Sequence, residues 1–385
     1  MKKLFVFIFC GLLIVTGCKK DKPLLESGTI GELTWTLSSD GTLTISGIGK
    51  IPSYYTDSPS WTKELIHAVV INDGVTSIGY KAFYECHWLW TVTIGNSVTT
   101  IEYDAFGGCN GLWAINVDNS NAVYSSENGV LFNKAKTKLI QCPVGKTGEF
   151  TIPNSMTNIE SFTFANTKLT SIIIPNSVTD IGIYAFYSCE FLTSVTIPNS
   201  VTSIGKQAFV ECRSLVSVTI PNSVTAIGDQ AFFGCFDLMS IYVDNGNTAY
   251  CSEDGVLFNK TKDTLVAYPE GKTGAYTIPN SVIAIGYGAF WGCTGLTSVT
   301  IPNSVTSIEN YAFSQCSGLT EVINESAIPQ DIESAGITRS VISPYLYVFF
   351  EVDISACTLR VPAASVSAYR TAPVWKDFGN IVAIN

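Results

Sequence analysis

The feature that most constrains this chain is a phased repeat of 23 residues. The segment TIPNSVTSIGKQAFVECRSLVSV starts at Thr196, and TIPNSVTAIGDQAFFGCFDLMSI follows 23 residues later at Thr219. Eight copies place an isoleucine at Ile71, Ile94, Ile152, Ile174, Ile197, Ile220, Ile278 and Ile301. Twelve residues on, each carries a phenylalanine: Phe83, Phe106, Phe164, Phe186, Phe209, Phe232, Phe290 and Phe313. Seven copies add a cysteine three residues later, at Cys86, Cys109, Cys189, Cys212, Cys235, Cys293 and Cys316; the copy at Ile152 is one residue short and lacks it. A unit this short cannot bury its own apolar face, whereas stacked units can, each on its neighbours, so the array predicts a solenoid.

Within a unit, Leu215-x-x-Val218-x-Ile220 fits the first half of a leucine-rich frame. The stretch alternates and is β-branched, which predicts a strand with Leu, Val and Ile inward and Ser217 and Thr219 outward. Phe232 is then expected in the core between units and Cys235 at an inner corner. The fixed proline of each full unit opposes slippage of neighbouring strands. Here the chain resembles the BspA-like leucine-rich-repeat proteins of Bacteroidetes-type surfaces, from about residue 28 to the C-terminus. The resemblance implies a β-rich leucine-rich-repeat solenoid with an adhesion or binding role, and it carries over no catalytic residues.

Longer similarity overlies the short repeat. VDNSNAVYSSENGVLFN from Val117 and VDNGNTAYCSEDGVLFN from Val243 belong to a block duplicated with an offset of 126 residues. Two islands, about 117–150 and 242–276, are expected to form β-hairpins inserted into a solenoid over 71–323. Upstream, ELTWTLSSDGTLTISG alternates about Asp40-Gly41 and predicts a hairpin. Residues 28–70 are read as an N-terminal β-hairpin cap and Pro52 to Trp61 as a loop. Residues 324–385 are read as a C-terminal α/β cap, with a strand at 358–362, a short helix and a last strand.

The N-terminus reads as an address. Lys2 and Lys3 precede an apolar run from Leu4 to Val15, too short and wrongly flanked for a spanning helix. Val15-Thr16-Gly17-Cys18 resembles a bacterial lipobox, which implies a signal peptide at 1–17, lipid on Cys18 and a tether over 18–27. Membrane attachment is expected through that lipid alone, on an outer-membrane lipoprotein displayed at the surface. Lys19, Lys20 and Lys22 leave open the alternative of a structural or assembly lipoprotein inside the envelope. Loss of Lys2 and Lys3 would move the net charge from −10 to −12. An acidic chain without a basic run is a poor nucleic-acid ligand.

Charged residues make up 14% of the chain, against roughly 25% in an average soluble domain. The expected strand face explains this, because its outward pairs are hydroxyl-rich: Thr91/Thr93, Ala114/Asn116, Ser194/Thr196, Ser217/Thr219 and Ser240/Tyr242. Ser and Thr suit an exposed strand, and the same row is also a flat surface for a protein or glycan. Trp88, Trp90 and Trp113, with Trp61 upstream, are candidates for an aromatic patch, with core packing as the competing reading. Thr93, Thr196, Thr219 and Tyr242 complete the candidate surface.

The repeat cysteines admit a disulfide ladder, a metal array or buried core thiols. Thiols are favoured, since the seven fall in groups of two, three and two. No CxxC is present, and His67 and His87 lack ligand-spaced partners, so neither metal nor cofactor is expected. Cys142, Cys251 and Cys357 lie outside the phase. GxSxG, HExxH and phosphate-loop motifs are absent, so no catalytic residue is assigned. The island acids Asp118, Glu127, Asp244 and Glu253 match between copies and read as turn chemistry.

Overall fold

The computed structural model describes residues 23–56, 59–332 and 348–384. The signal peptide expected over 1–17 and the expected lipid anchor Cys18 lie outside the described residues. The chain winds as a β-solenoid of about 14 coils. Val366–Tyr369 is the only α-helix among the described residues. No described helix is long and apolar enough to cross a membrane.

Each coil contributes three strips of backbone pairing to its neighbours. The first is the TVTI-type strand in parallel register, as in Ala68–Ile71 on Thr91–Ile94 and Thr91–Ile94 on Ala114–Val117. The second is a two-residue bridge, repeated at Asn158–Ile159, Asp180–Ile181, Ser203–Ile204 and Ala226–Ile227. The third lies at the Ala-Phe corner, where the N–H of Phe186 donates to the carbonyl of Ala208 and that of Phe209 to Ala231, each at 2.8 Å. Two residues either side of Phe209, Gln207 and Glu211 sit at φ 54° and 58°. Left-handed backbone costs a side chain roughly 1–2 kcal/mol. Here both N–H groups donate to the next coil, to Asp229 and Phe233 at 3.1 and 2.7 Å, which offsets the cost.

The corner places each phenylalanine on the next. Phe164, Phe186, Phe209 and Phe232 form one stacked column with centroids 4.9–5.6 Å apart and planes within 8°. Phe83 stacks on Phe106, and Phe290 on Phe313. The phased cysteines line the same corner. Cys109, Cys189, Cys212, Cys235 and Cys316 donate Sγ–H to the carbonyls of Phe83, Phe164, Phe186, Phe209 and Phe290 at 3.0–3.2 Å. Cys86 and Cys293 are equally buried, and all ten described cysteines are unbridged. The three cysteines outside the phase are also accommodated. Cys142 is buried within the first island. Cys251 donates to the carbonyl of Asn259 as Ser125 does to that of Asn133 in the other copy. Cys357 donates to that of Leu319 at 2.9 Å.

Three apolar clusters fill the coils in series, and the islands separate them. Each island is a three-stranded meander rather than a single hairpin. In the first, Tyr124–Glu127, Val130–Asn133 and Leu139–Gln141 pair in antiparallel order. Its first strand turns at Asn128-Gly129, with φ 51° and 79°, a pair of positive φ values that favours Asn-Gly. Asp254-Gly255 repeats the turn in the second island. The central strand is buried on both faces, hence its unbroken Val-Leu-Phe. Leu131 joins the N-terminal cluster while Val130 and Phe132 join the middle one.

The N-terminal hairpin at Asp40-Gly41 joins Leu33–Ser38 to Thr42–Gly47, which pairs in parallel with Ala68–Ile71. A further strand, Leu24–Ile30, pairs antiparallel with Leu33–Ser38. This corrects the tether expected over 18–27, whose described part is strand from Leu24. Its hydropathy gives no hint; backbone pairing and the Trp35 ring packed against Gly28 hold it. At the other end, Thr358–Val361 and Asn380–Ala383 extend the parallel ladder from Glu321–Asn324, and Phe349 stacks on Phe313 at 5.4 Å.

Truncating one interior ring tests the column. Phe209→Ala is expected to destabilise the protein by about 3–5 kcal/mol, read by urea denaturation. Exposed Thr219→Ala should change stability by less than about 0.5 kcal/mol.

Candidate binding surface

Strand register sorts the expected outward residues into rows. Val70, Thr93 and Asn116 share one row, Ile173 pairs with Thr196, and Thr219 with Tyr242. Thr93, Thr196 and Thr219 are exposed, as is Tyr242. Thr196 and Thr219 line one open groove with Asn176 and Asn199. Ala114 departs from the expectation: it is buried because Gly129 of the island turn packs on it, with the Ile115 N–H donating to the Gly129 carbonyl at 2.8 Å.

The tryptophans divide. Trp88, Trp90 and Trp113 are 59%, 48% and 50% exposed. Trp90 and Trp113 occupy one phase of successive coils, with the Trp113 N–H donating to the Trp90 carbonyl and the Trp90 N–H to that of His67. The His67 ring stacks on Trp90 at 4.7 Å and 6°. Trp113 also borders a shallow depression that holds Lys146 and Lys168. Trp61 is a correction. Only 3% exposed, it stacks on Phe83 at 5.4 Å and meets Trp35 edge-on, so it opens the phenylalanine column and leaves the candidate patch. Tyr242 lies five strand steps from Trp113, roughly 24 Å at about 4.8 Å per step, so the structure does not unite the two halves of the candidate surface.

The island acids have local partners. The Asp118 carboxylate accepts the N–H and hydroxyl of Ser120, which hold it below the usual carboxylate range. Glu127 pairs with Lys136 and Glu253 with Lys262, at 2.5 and 3.1 Å. Buried Asn121 and Asn247 each donate twice to backbone carbonyls of the preceding coil and accept two N–H groups, fastening each island's start. No group of three His, Cys, Asp or Glu among the described residues is arranged to hold a metal.

One feature escaped the sequence reading. Glu270 is 7% exposed; its Oε1 accepts the Gly234 N–H at 2.7 Å and its buried Oε2 has no partner. It lines a cavity of about 210 Å³ where the second island meets the following coils. The available signal was a difference between the duplicated blocks, since Val144 stands 126 residues earlier.

Phased strands, stacked corner residues and an exposed aromatic row define a leucine-rich-repeat scaffold. The family model described as the BspA type leucine rich repeat region matches residues 58–148, 144–253 and 268–336 in six copies. That is well over half of the chain, which therefore belongs to this family. Comparison with curated proteins finds no match. Among solved structures, the chain is similar to a leucine rich cell surface protein of Faecalibacterium prausnitzii, at 25% identity and TM-score 0.49 over 94% of this chain and 95% of that one. It is also similar to a leucine-rich repeat protein of Bacteroides ovatus, at 21% identity and TM-score 0.43 over 92% and 90%. A third similarity is to the pneumococcal vaccine antigen PcpA, at 15% identity and TM-score 0.42 over 94% and 100%.

Glu270 generates a pH prediction. Burial pushes its carboxyl up to about 8 from an ordinary 4.5, against the opposing pull of the Gly234 N–H. Between those values the folded protein keeps a proton that the unfolded chain has released, so stability falls as pH rises through the window. Glu270→Gln removes the penalty. It is expected to stabilise the protein by on the order of 1–3 kcal/mol near pH 8.5 and by much less near pH 5, read by thermal melts in matched buffers. Equal effects at both pH values would contradict this.

Proposed function

We propose that this chain is a cell-envelope-anchored, non-enzymatic binding and adhesion protein that presents its leucine-rich-repeat surface to an extracellular protein or glycan. The observation that carries the reading is the exposure of Trp88, Trp90 and Trp113, the last two at one phase of successive coils, on a scaffold whose coils are tied by backbone hydrogen bonds. Large aromatics held rigidly lose little entropy on binding and offer flat faces to sugar rings or apolar side chains. The lipobox-like Val15-Thr16-Gly17-Cys18 supports anchoring, and membership of a repeat family supports a binding role. The island carboxylates already serve turns and ion pairs, which supports a non-enzymatic reading.

The test is a screen of the purified protein against matrix proteins and a glycan array, repeated with Trp88→Ala, Trp90→Ala and Trp113→Ala combined. Binding is expected, with a loss of at least about thirtyfold in the triple variant, the scale of a hot-spot residue of roughly 2 kcal/mol. Melting temperature should be little changed, because these side chains are exposed. A uniformly negative screen, or full binding by the triple variant, would overturn the reading. Lys19, Lys20 and Lys22 keep open the second reading of a structural or assembly lipoprotein inside the envelope. Survival of the protein when intact cells are treated with protease would support that alternative.

A further inference from the structure

The duplicated block supplies an internal control. Its two island junctions share strands, turns and buried asparagines, yet differ at a few positions that face one place. In the first, Lys138 forms an ion pair with Glu160 at 3.2 Å, tying the island's third strand to the next coil. The corresponding residues of the second, 126 further on, are Thr264 and Gly286, and both line the cavity. The tie is gone and the space beneath is open. Val144 of the first junction becomes Glu270, a carboxylate with one bonded oxygen and one buried oxygen without a partner.

The lining has a consistent chemistry. Asp229, Glu270 and Glu309 belong to it, and it holds no Lys, Arg or His. Phe233 and Trp291 form an aromatic pair with centroids 4.8 Å apart and planes at 56°. Carboxylates beside aromatic faces recognise organic cations, by charge-assisted hydrogen bonding and by attraction to the ring quadrupole. A buried acid with an unused acceptor costs free energy unless it is protonated or meets a donor. An anionic guest would face three carboxyl groups, and a neutral apolar one would leave the Glu270 oxygen unanswered.

We propose that the second island junction binds a small organic ammonium ion, an alkyl- or arylamine, with Glu270 as its charge partner and Phe233 and Trp291 as its aromatic walls. This site is independent of the tryptophan surface proposed above. Glu270 keeps its Oε1 on the Gly234 N–H and turns its free acceptor capacity to the ammonium group. The apolar body of the guest lies against Phe232, Leu238 and Leu257. The first junction, with its own lysine in place, takes no such ligand.

The experiment is calorimetric titration of the full chain near pH 8.5, where Glu270 has released its proton and alkylammonium groups keep theirs, with butylamine and phenethylamine, using phenethyl alcohol as the neutral isostere. At least one amine is expected to saturate the protein below about 10 mM and to bind about tenfold or more tighter than the alcohol. Glu270→Gln should lose at least about tenfold in amine affinity. Thr264→Lys, which restores the first junction's cation, should do the same while Glu270 remains. Far-ultraviolet circular dichroism and melting temperature establish that each variant is folded. No saturation by either amine, equal binding of the alcohol, or undiminished binding by both variants would overturn the proposal.

Discussion

Everything in this molecule depends on coil-to-coil registration. The main strand, the short bridge and the Ala-Phe corner each donate backbone hydrogen bonds to the next coil, so a residue at one phase rests on the residue at the same phase one coil away. That constraint makes identical residues neighbours. It explains why rings stack on rings and why five of the phased thiols meet the carbonyl of the previous coil's phenylalanine. The left-handed residues beside each phenylalanine follow from the same demand, because only that backbone points two further N–H groups at the neighbouring coil. A slip of one residue would turn every inward side chain outward.

The islands are the places where registration is renegotiated. The phenylalanine column stops at Phe106 and Phe232 and resumes beyond each island. A strand buried on both faces stands between the apolar clusters and completes both. An asparagine that satisfies four backbone groups and a positive-φ turn hold each island to the preceding coil. Such junctions tolerate divergence better than the repeats do, since fewer identical residues must stack there. The second junction shows this: an ion pair is absent, a cavity lies in its place and a buried acid faces it. New binding chemistry can arise there without disturbing the ladder.

Much of the fold was legible in the 23-residue phase, because each inward position of a solenoid is written once per coil. Phe209 and Cys212 were placed in the core by phase alone, and the Asp40-Gly41 hairpin by its alternating flanks. What was not legible depended on contacts without a period. Trp61 lies in a stretch with no repeat, and its burial is set by stacking on the outer face of Phe83, the first ring of the phenylalanine column. Ala114 is covered by an island that folds back from fifteen residues downstream. The polar first island strand Tyr124–Glu127 offers no apolar alternation, and only Asn128-Gly129 announces it. The exposed tryptophans stood out as departures from the repeat consensus. Glu270 stands out only when the two blocks are laid side by side.

The central claim is that each coil is a self-similar unit held by registration with its neighbours. Removing one whole period, residues 197–219, joins Thr196 to Ile220 and keeps every phase intact; removing the half period 197–208 joins it to Phe209 out of phase. Equilibrium unfolding of both deletions, followed by circular dichroism, tests the claim directly. The whole-period deletion should keep the β-rich spectrum and a cooperative transition near that of the parent, while the half-period deletion loses both. Equal damage by the two deletions would contradict the account.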